Sequence, residues 1–420
     1  MIAALWLAVP AAAIRPTEGG LFSFDATDVV ESFEPDPRIR VHYSVSGPNE
    51  TVLTDFDHND IPDYAETAAS VAVLALDLYA ETGFRAPLTE ADLGVGELGG
   101  SPALDVYLVD FDRQADGQYG TDACKSDPDS RCSGFLTIEN DFSGYSYAST
   151  TVGLEVVISH ELFHGVQFAY TADLEVWASE GTAAWAEQLY APGSQDYLRF
   201  ANAYLAEPGR GLSDPPVGPA PTFAYATGLW WDFLALRHGP SMLVDVLEAW
   251  QGQTELVGPM EQAIEGRGDT LHDAWVEFAT WNLATSERAG EIDGYPYAAD
   301  LFGLSPAITG DLIDDDPRLY PLATTYYRVH HLGGELWFGI DVEQPNVTFS
   351  LHPTIDGDKD SPVVAASSVF DGSDPTPRSI GDLPAGHYWL WAAQAQNGDA
   401  SEKIDRLCLG SEAAVRDCFG

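Results

Sequence analysis

The chain has 420 residues, of which 66 are aspartate or glutamate and 19 are lysine or arginine, so its formal net charge is -47. Such a negative surface repels nucleic acid and anionic membranes, and neither is expected as a partner. The same charge suits a secreted, highly solvated protein, and the length is sufficient for two domains.

The N-terminal residues have the composition of a signal-peptide core. Residues 1–13 are mostly apolar and end in three alanines, which fits the small-residue rule for cleavage, although the positively charged start is missing. No later segment offers the roughly twenty apolar residues of a membrane span. Residues 1–13 are therefore predicted to be a signal peptide, and we expect the protein to be secreted or periplasmic.

A candidate calcium loop follows the first predicted strand. Residues 14–38 are predicted to be a loop, and residues 38–45 alternate in hydrophobicity as a strand does. In residues 55–66, side-chain oxygen donors occupy positions 1, 3, 5, 9 and 12 of a calcium-loop pattern, and residue 7 offers its backbone carbonyl. The predicted calcium ligands are Asp55, Asp57, Asn59, Ile61 through its carbonyl, Asp63 and Glu66.

One position departs from the calcium pattern. The usual glycine at position 6 is Asp60, which tolerates a left-handed turn less well than glycine does. The alternative is an acidic turn that caps the alanine-rich helix predicted over 63–82. Calcium is nevertheless expected as a cofactor.

The next segments predict strands followed by a helical bundle. Residues 103–111 and 133–140 have the composition of strands, and the loop between them is rich in glycine and aspartate. Helices are predicted over 196–206, 223–237, 240–251, 256–265 and 270–287. Strands that precede a run of helices are typical of an α+β domain.

The motif His160-Glu161-Leu162-Phe163-His164 lies between those strands and the bundle. On a helix, positions i and i+4 lie on one face, so His160 and His164 can direct two imidazoles to one metal ion. Glu161 is then placed to accept a proton from water. The alternative is two surface histidines on an ordinary helix.

Glu180 is the candidate for a third ligand. Catalytic zinc usually takes three protein ligands, and Glu180 follows His164 by sixteen residues. It lies in the apolar, helix-compatible segment 177–187, where a lone carboxylate is costly to bury unless it is paired or bound to metal. The alternative is a partly exposed glutamate at a helix start. Glu187, on the same helical face, either hydrogen-bonds a ligand histidine or faces solvent.

The composition changes after residue 290. Residues 291–318 are rich in glycine, proline and aspartate and are predicted to be a linker. Residues 319–420 are predicted to be a β-sandwich because short alternating strands are separated by turn residues. The predicted strands are 324–331, 336–342, 347–352, 363–369, 387–393 and 404–409. His330 and His331 point to opposite faces of one strand, so a shared metal is not expected.

The four cysteines allow three pairings. Proximity favours Cys124–Cys132 and Cys408–Cys418, and neither pair has the short spacing of a zinc knuckle. We therefore predict two disulfides, which fits an oxidising compartment.

Several sequence blocks together resemble one family. The chain is similar to secreted bacterial metalloproteases of the gluzincin (peptidase MA-like) clan, particularly a set from myxobacteria. The resemblance covers about residues 38–290. Its blocks are 41–43, 55–66, 103–110, 135–142, 158–168, 177–187, 225–239 and 278–282.

The resemblance implies a fold and an activity. Residues 14–290 would form a zincin-like metalloprotease domain, and a secreted enzyme of this kind hydrolyses protein or peptide substrates. Zinc would be bound by His160, His164 and Glu180, with Glu161 as the general base. An oxyanion donor would come from a later helix, either Tyr225 or, less favoured, His238.

The remaining expectations concern the substrate, the oligomeric state and the alternative functions. The strand over 135–140 would be the sheet edge to which an extended peptide adds before cleavage. The chain is expected to be a monomer. The alternative functions are a non-catalytic surface-binding protein on the same scaffold and a zinc amidase that acts on cell-wall peptide.

Overall fold

The computed structural model describes residues 13–125, 130–213, 220–253, 255–342, 348–353, 376–394 and 402–419. The fold is mixed α/β, with helices and several sheets, which agrees with the α+β class predicted from the sequence. The chain forms two compact units, Met1–Phe200 with Pro221–Ala263 and Ala201–Ala220 with Ile264–Gly420.

The first unit contains a five-stranded sheet with the order β1-β2-β3-β5-β4. Its strands are β1 (Val30–Asp36), β2 (Ile39–Ser44), β3 (Leu104–Val109), β4 (Gly117–Cys124) and β5 (Cys132–Glu139). Strands β2, β3 and β5 are parallel to one another, whereas β1 and β4 pair antiparallel to their neighbours. Every residue of β3 and β5 is buried, so these strands form the centre of the sheet.

The predicted substrate edge at 135–140 is wrong, because β5 lies between β3 and β4. The segment that was expected to be a loop forms β4, which covers the outer side of β5 and becomes the edge itself. Glycine and aspartate are uncommon in strands, and their frequency in this segment concealed it.

The chain also contains helices, which are divided between the two units. They are α1 (Asp63–Thr82), α2 (Thr150–Phe168), α3 (Val176–Tyr190), α4 (Gln195–Ala206), α5 (Ala220–Ala226), α6 (Gly228–His238), α7 (Met242–Trp250), α8 (Val257–Gly266) and α9 (Leu271–Leu283). Helix α1 packs against β2 and α2, and α2 packs against β4, β5 and α3. The motif-bearing helix α2 thus lies on the sheet beside its edge.

Local sequence explains where two of these helices begin and end. The Ser149 side chain accepts a hydrogen bond from the Val152 amide and caps α2. Helix α1 ends at Gly83, whose φ of 106° is the left-handed conformation that favours glycine. The helix predicted over 223–237 is divided into α5 and α6 at Thr227, whose hydroxyl donates to the backbone carbonyls of Trp177 and Ala224.

The N-terminal segment is bound to the sheet by a buried arginine. The amide of Ala13 donates to the carbonyl of Thr121. The guanidinium of Arg15, 1% exposed, forms ion pairs with Asp105, with Asp122 at 2.7 Å and with Glu90 at 3.4 Å. Arg15 is therefore the shared partner of three buried carboxylates of the first unit, and Asp105 also contacts Nε2 of His42 at 2.7 Å.

The second unit contains two sheets with the orders β12-β10-β14-β7 and β11-β13-β9-β6. Their buried side chains form one hydrophobic cluster, to which Phe338, Tyr327 and Leu390 contribute. The strands are β6 (Ile308–Gly310), β7 (Ile313–Asp315), β8 (Arg318–Leu319), β9 (Ala323–His331), β10 (Gly334–Val342), β11 (Thr348–Pro353), β12 (Arg378–Leu383), β13 (Gly386–Gln394) and β14 (Glu402–Gly410). Helix α10 (Glu412–Cys418) follows.

The division of the chain differs from the predicted boundaries at 290 and 318. Helix α9 belongs to the second unit, where Trp275 donates to the Thr324 hydroxyl and Tyr326 donates to the Ala279 carbonyl. The predicted linker 291–318 contains β6 and β7, which pair with β9 and β14. Strands of three residues are too short to produce a visible alternation. The strand predicted over 363–369 lies outside the described residues.

The predicted disulfides Cys124–Cys132 and Cys408–Cys418 are confirmed. Both are consistent with an extracellular or periplasmic location. Among the described residues, no helix combines the length and the apolar character needed to cross a membrane.

Candidate metal centre

His160 and His164 lie one turn apart on α2 and share a face, as the motif predicts. Both are buried, and their ring centroids are 4.9 Å apart. The apolar residues of α2 around them are buried too, so the helix holds the imidazoles in a rigid setting.

Glu180, on α3, completes a group of three. Its Oε2 lies 3.4 Å from Nε2 of His160 and 3.7 Å from Nε2 of His164. Ligand atoms of the three residues all lie within 4.8 Å of one another. Two imidazole nitrogens and one carboxylate oxygen match the donor set of a catalytic zinc site, so the residues fit such an ion.

The remaining ring nitrogens are held by two side chains of the same unit. Nδ1 of His160 donates to Oε1 of Glu187 at 2.7 Å, and Nδ1 of His164 donates to Oε1 of Gln167 at 2.9 Å. These bonds fix the rings and leave both Nε2 atoms available as ligands. Glu187 therefore contacts a histidine and does not face solvent. Gln167 was missed, although its position three residues after His164 places it beside that ring.

The charges in this group are strongly coupled. Burial lowers the pKa of His160, but its hydrogen bonds to Glu180 and Glu187 outweigh burial and hold the pKa well above its ordinary value. Burial raises the pKa of Glu180, but the neighbouring His164 and His160 outweigh it and hold the pKa well below its ordinary value. Glu180 and the two imidazoles thus stabilise one another's charged forms, whereas burial outweighs the contact with His160 at Glu187 and raises its pKa to about 8.

Glu161 points from α2 towards the edge strand. A Cβ atom added at Gly117, the first residue of β4, would lie 2.9 Å from Cγ and 3.2 Å from Oε1 of Glu161, and it would also overlap Val157. Burial raises the pKa of Glu161. The carboxyl therefore occupies the space between the ligand-bearing helix and the backbone of the edge strand.

Tyr225, on α5, lies against the same group. Its ring stacks on His160 with a centroid distance of 5.4 Å and on Phe200 at 4.9 Å. Burial raises the pKa of the Tyr225 hydroxyl well above its ordinary value, and the negative charges of Glu180 and Glu161 raise it further. The structure thus brings Tyr225 to the candidate ligands. None of the described contacts of these ligands includes His238, which ends α6.

The calcium-loop residues are only partly gathered. Carboxylate oxygens of Asp55, Asp57 and Asp63 lie within 4.8 Å of one another. The side-chain amide of Asn59 donates to Glu66 at 2.8 Å, so those two predicted donors contact each other. Residue 60 does adopt the left-handed conformation, with φ at 67°.

Comparison with known proteins assigns no family. No family model matches the chain, and no curated protein matches it. Among solved structures, the crystal structure of Aeromonas hydrophila PliG, a periplasmic lysozyme inhibitor of g-type lysozyme, is similar to part of it. The two are 15% identical, the match covers 25% of this chain and 98% of the inhibitor, and the TM-score is 0.17. A TM-score this low indicates neither a shared fold nor a shared function.

Proposed function

We propose that the chain is a secreted zinc metallopeptidase of the gluzincin type that hydrolyses protein or peptide substrates. The convergence of His160, His164 and Glu180, with Glu161 beside them on the same helix, is the observation that carries this function. The resemblance of residues 38–290 to gluzincin proteases supports it. On this interpretation the first unit is the zincin-like domain, and the two sheets of the second unit are the predicted β-sandwich.

Each residue of the group has a defined task in such a reaction. When bound, zinc supplies a Lewis acid that polarises the scissile carbonyl and activates water. His160 and His164 would hold it through Nε2, and Glu180 would hold it through a carboxylate oxygen. Glu187 and Gln167 hold the imidazoles in place.

Proton transfer and charge stabilisation fall to two other residues. Glu161 accepts a proton from the attacking water and then donates it to the leaving amine. Its burial favours this, because a raised pKa brings a carboxyl closer to neutral pH. Tyr225 is the donor for the developing oxyanion, and the stacking of its ring on His160 keeps it beside the ligand group.

The edge strand β4 replaces 135–140 as the surface for the substrate backbone. An edge strand presents unpaired amide and carbonyl groups to which an extended peptide can add. On β4 the carbonyl of Thr121 already accepts from the amide of Ala13, so the peptide would add at the end that begins with Gly117. Gly117 lies against Glu161, so a peptide paired there would pass close to the general base.

The function is tested by Glu161→Gln, with Glu155→Gln on the same helix as a control. Glu161→Gln should retain about one zinc per chain, because it is not a ligand, yet lose cleavage of an unfolded generic protein. Glu155→Gln should retain both. Zinc content is measured by elemental analysis and cleavage by a digest. A Glu161→Gln protein as active as wild type contradicts the mechanism, and stoichiometric zinc in His160→Ala/His164→Ala contradicts the site.

The same proteins separate the alternative functions. A wild type that binds zinc but cleaves only cell-wall peptide would be the amidase. A wild type that cleaves neither substrate would favour the non-catalytic surface-binding protein. The presence of Glu161 beside the candidate metal ligands argues against that alternative.

We also propose that Asp55–Glu66 binds calcium. Asp55, Asp57 and Asp63 supply the gathered carboxylates. Asn59, which accepts from the Ile61 amide and donates to Glu66, joins them together with Glu66 when these hydrogen bonds are exchanged for the ion, and Ile61 contributes its backbone carbonyl.

A further inference from the structure

Two histidines that are distant in sequence face each other in the second unit. Strands β9 and β13 are antiparallel neighbours, and their register places His330 directly opposite His387. The ring centroids are 4.8 Å apart and the rings are inclined by 33°. His387 therefore lies beside His330 on the same face of the sheet, whereas His331, which follows it in the chain, points to the opposite face.

Both histidines lie on the outer face of their sheet. Their chain neighbours Val329 and Tyr388 belong to the hydrophobic cluster between the two sheets. Because side chains alternate along a strand, His330 and His387 point away from that cluster. The side chain of His330 is 45% exposed, so an ion can reach it from solvent.

A carboxylate extends the row onto a third strand. Gly310 of β6 pairs with Val329 of β9, so Asp311 comes next to His330. The distance from Oδ1 of Asp311 to Nδ1 of His330 is 3.0 Å. A hydrogen bond from Nδ1 to a carboxylate fixes the tautomer in which Nε2 carries the free lone pair, which is the usual support for a metal-binding histidine.

His387 has an uncompensated nitrogen in this arrangement. Its Nδ1 is shielded from solvent and has no hydrogen-bond partner among the described residues. Buried polar atoms are rarely left without a partner, so an absent partner points to an unfilled interaction.

We propose that His330 and His387 together bind a divalent first-row transition-metal ion, each through one ring nitrogen, with Asp311 orienting His330. Metal–nitrogen bonds of about 2.0–2.1 Å place two ligand nitrogens no more than about 4.2 Å apart. Rings with centroids 4.8 Å apart are close enough for one nitrogen of each to lie within that distance. Imidazole ligands bind Cu²⁺ more tightly than Ni²⁺ or Zn²⁺.

This site is separate from the candidate centre on α2 and does not depend on the proposed peptidase function. Two protein nitrogens leave the other coordination positions of the ion to water or to an exogenous ligand. The ion would therefore be open to solvent on the side of the exposed His330, and the partly buried His387 would cover its other side.

The test is a titration of the full-length chain with Cu²⁺, followed by electron paramagnetic resonance. It uses His160→Ala/His164→Ala as the background, at an ionic strength that suppresses diffuse binding to the acidic surface. We expect one copper equivalent whose spectrum shows two nitrogen ligands. His330→Ala/His387→Ala in that background should lose this equivalent. Asp311→Asn should weaken it by roughly 10- to 100-fold, the usual effect of losing an orienting carboxylate.

His272 provides a matched control. It also lies beside a carboxylate, Asp273 at 3.1 Å, but its other ring nitrogen contacts the hydroxyl of Thr348 and not a second imidazole. His272→Ala should therefore leave the copper equivalent unchanged. Metal-free melting curves verify that each variant is folded. An undiminished two-nitrogen signal in His330→Ala/His387→Ala overturns the proposal, as does a spectrum with fewer than two nitrogen ligands in the His160→Ala/His164→Ala background.

The two proposals fail independently. If the background retains stoichiometric zinc, the peptidase site is wrong, whatever copper does at His330. If copper binds without the two histidines, this inference is wrong and the peptidase site is untouched.

Discussion

Arg15 is buried together with three acidic side chains, a placement that no hydrophobicity pattern could predict. Its partners Glu90, Asp105 and Asp122 come from separate parts of the first unit. Removing the cation from such a cluster leaves buried carboxylates uncompensated, which is far more costly than losing a pair on the surface.

We predict that Arg15→Met destabilises the protein by about 3–5 kcal/mol, the range for breaking a buried ion pair. The control is Arg38→Met, because Arg38 forms exposed ion pairs with Asp36 and Asp77. That change should cost no more than about 1 kcal/mol. Both values come from denaturant unfolding at neutral pH. Equal losses of unfolding free energy in the two variants would show that the buried Arg15 ion pairs contribute no more to stability than the exposed pairs of Arg38.

Glu139 gives a second residue-scale prediction. Burial raises its pKa to about 7, although its carboxylate accepts hydrogen bonds from the Phe111 amide and the Tyr145 hydroxyl. The ordinary glutamate value is 4.5. Between these pH values the folded state retains a proton that the unfolded state has lost, so stability falls as the pH rises.

The variant Glu139→Gln should remove that fall, because an amide does not titrate. From pH 4.5 to pH 7, the unfolding free energy of wild type should fall relative to that of the variant by about 3 kcal/mol, at 1.36 kcal/mol per pKa unit. Denaturant melts at several pH values measure the slope, with the exposed Glu97→Gln as control. A slope unchanged by Glu139→Gln would refute the assignment.

At the scale of elements, the close approach of β4 to α2 depends on a glycine. A side chain at Gly117 would overlap Val157 and press on Glu161. Because β4 is the edge strand, its position relative to Glu161 defines how close a peptide paired to that edge would lie to the proposed general base.

Gly117→Ala should therefore reduce kcat by roughly 100-fold while zinc content stays unchanged, since a misplacement of about 1 Å can cost that much. Gly258→Ala is the control, because a Cβ there meets nothing within 4 Å. Steady-state cleavage of one peptide gives kcat, and elemental analysis gives zinc. Full activity in Gly117→Ala would show that the contact has no role in positioning Glu161.

The calcium loop is also tested as an element. A ligand that binds the folded state raises the melting temperature by mass action. Calcium should stabilise wild type more than magnesium does at matched ionic strength, because magnesium demands a stricter octahedral geometry. Asp55→Ala/Glu66→Ala should lose that difference, whereas Glu265→Ala/Asp300→Ala, which removes two exposed carboxylates elsewhere, should keep it. A retained calcium-specific rise in the first variant would make the segment an acidic turn.

The elements that the sequence predicted well carry strong periodicity or clear ends. Helix α1 matches the predicted 63–82 because alanine and leucine dominate it and Gly83 stops it. The buried strands β3 and β5 agree with their predictions to within about two residues. Local sequence was sufficient to predict these elements because their own residues, and not distant partners, favour the helix or strand.

The elements that were missed depend on partners distant in sequence. Strand β4 has a composition typical of loops, and pairing with β5 makes it a strand. Short strands β6 and β7 exist only because β9 and β14 are present to pair with them. Motif spacing identified the group His160, His164 and Glu180, whereas the contact of His330 with His387 required the register of two strands.

At the scale of the whole molecule, the charge of -47 favours cations wherever oxygen or nitrogen donors converge. It also places every surface ion pair in a repulsive background. Contacts inside the units that neutralise carboxylates, such as those of Arg15, therefore offset part of the repulsion among the acidic side chains.

The division of the chain affects how it is made on the ribosome. The second unit takes Ala201–Ala220 as well as Ile264–Gly420, so its two parts emerge at different times. The amide of Leu212 donates to the carbonyl of Leu322, and the amide of Thr324 donates to the carbonyl of Pro208. Domains generally fold as units during synthesis, N-terminal parts first. These two hydrogen bonds therefore cannot form until residues past Thr324 have been translated, by which time all residues of the first unit have already been made.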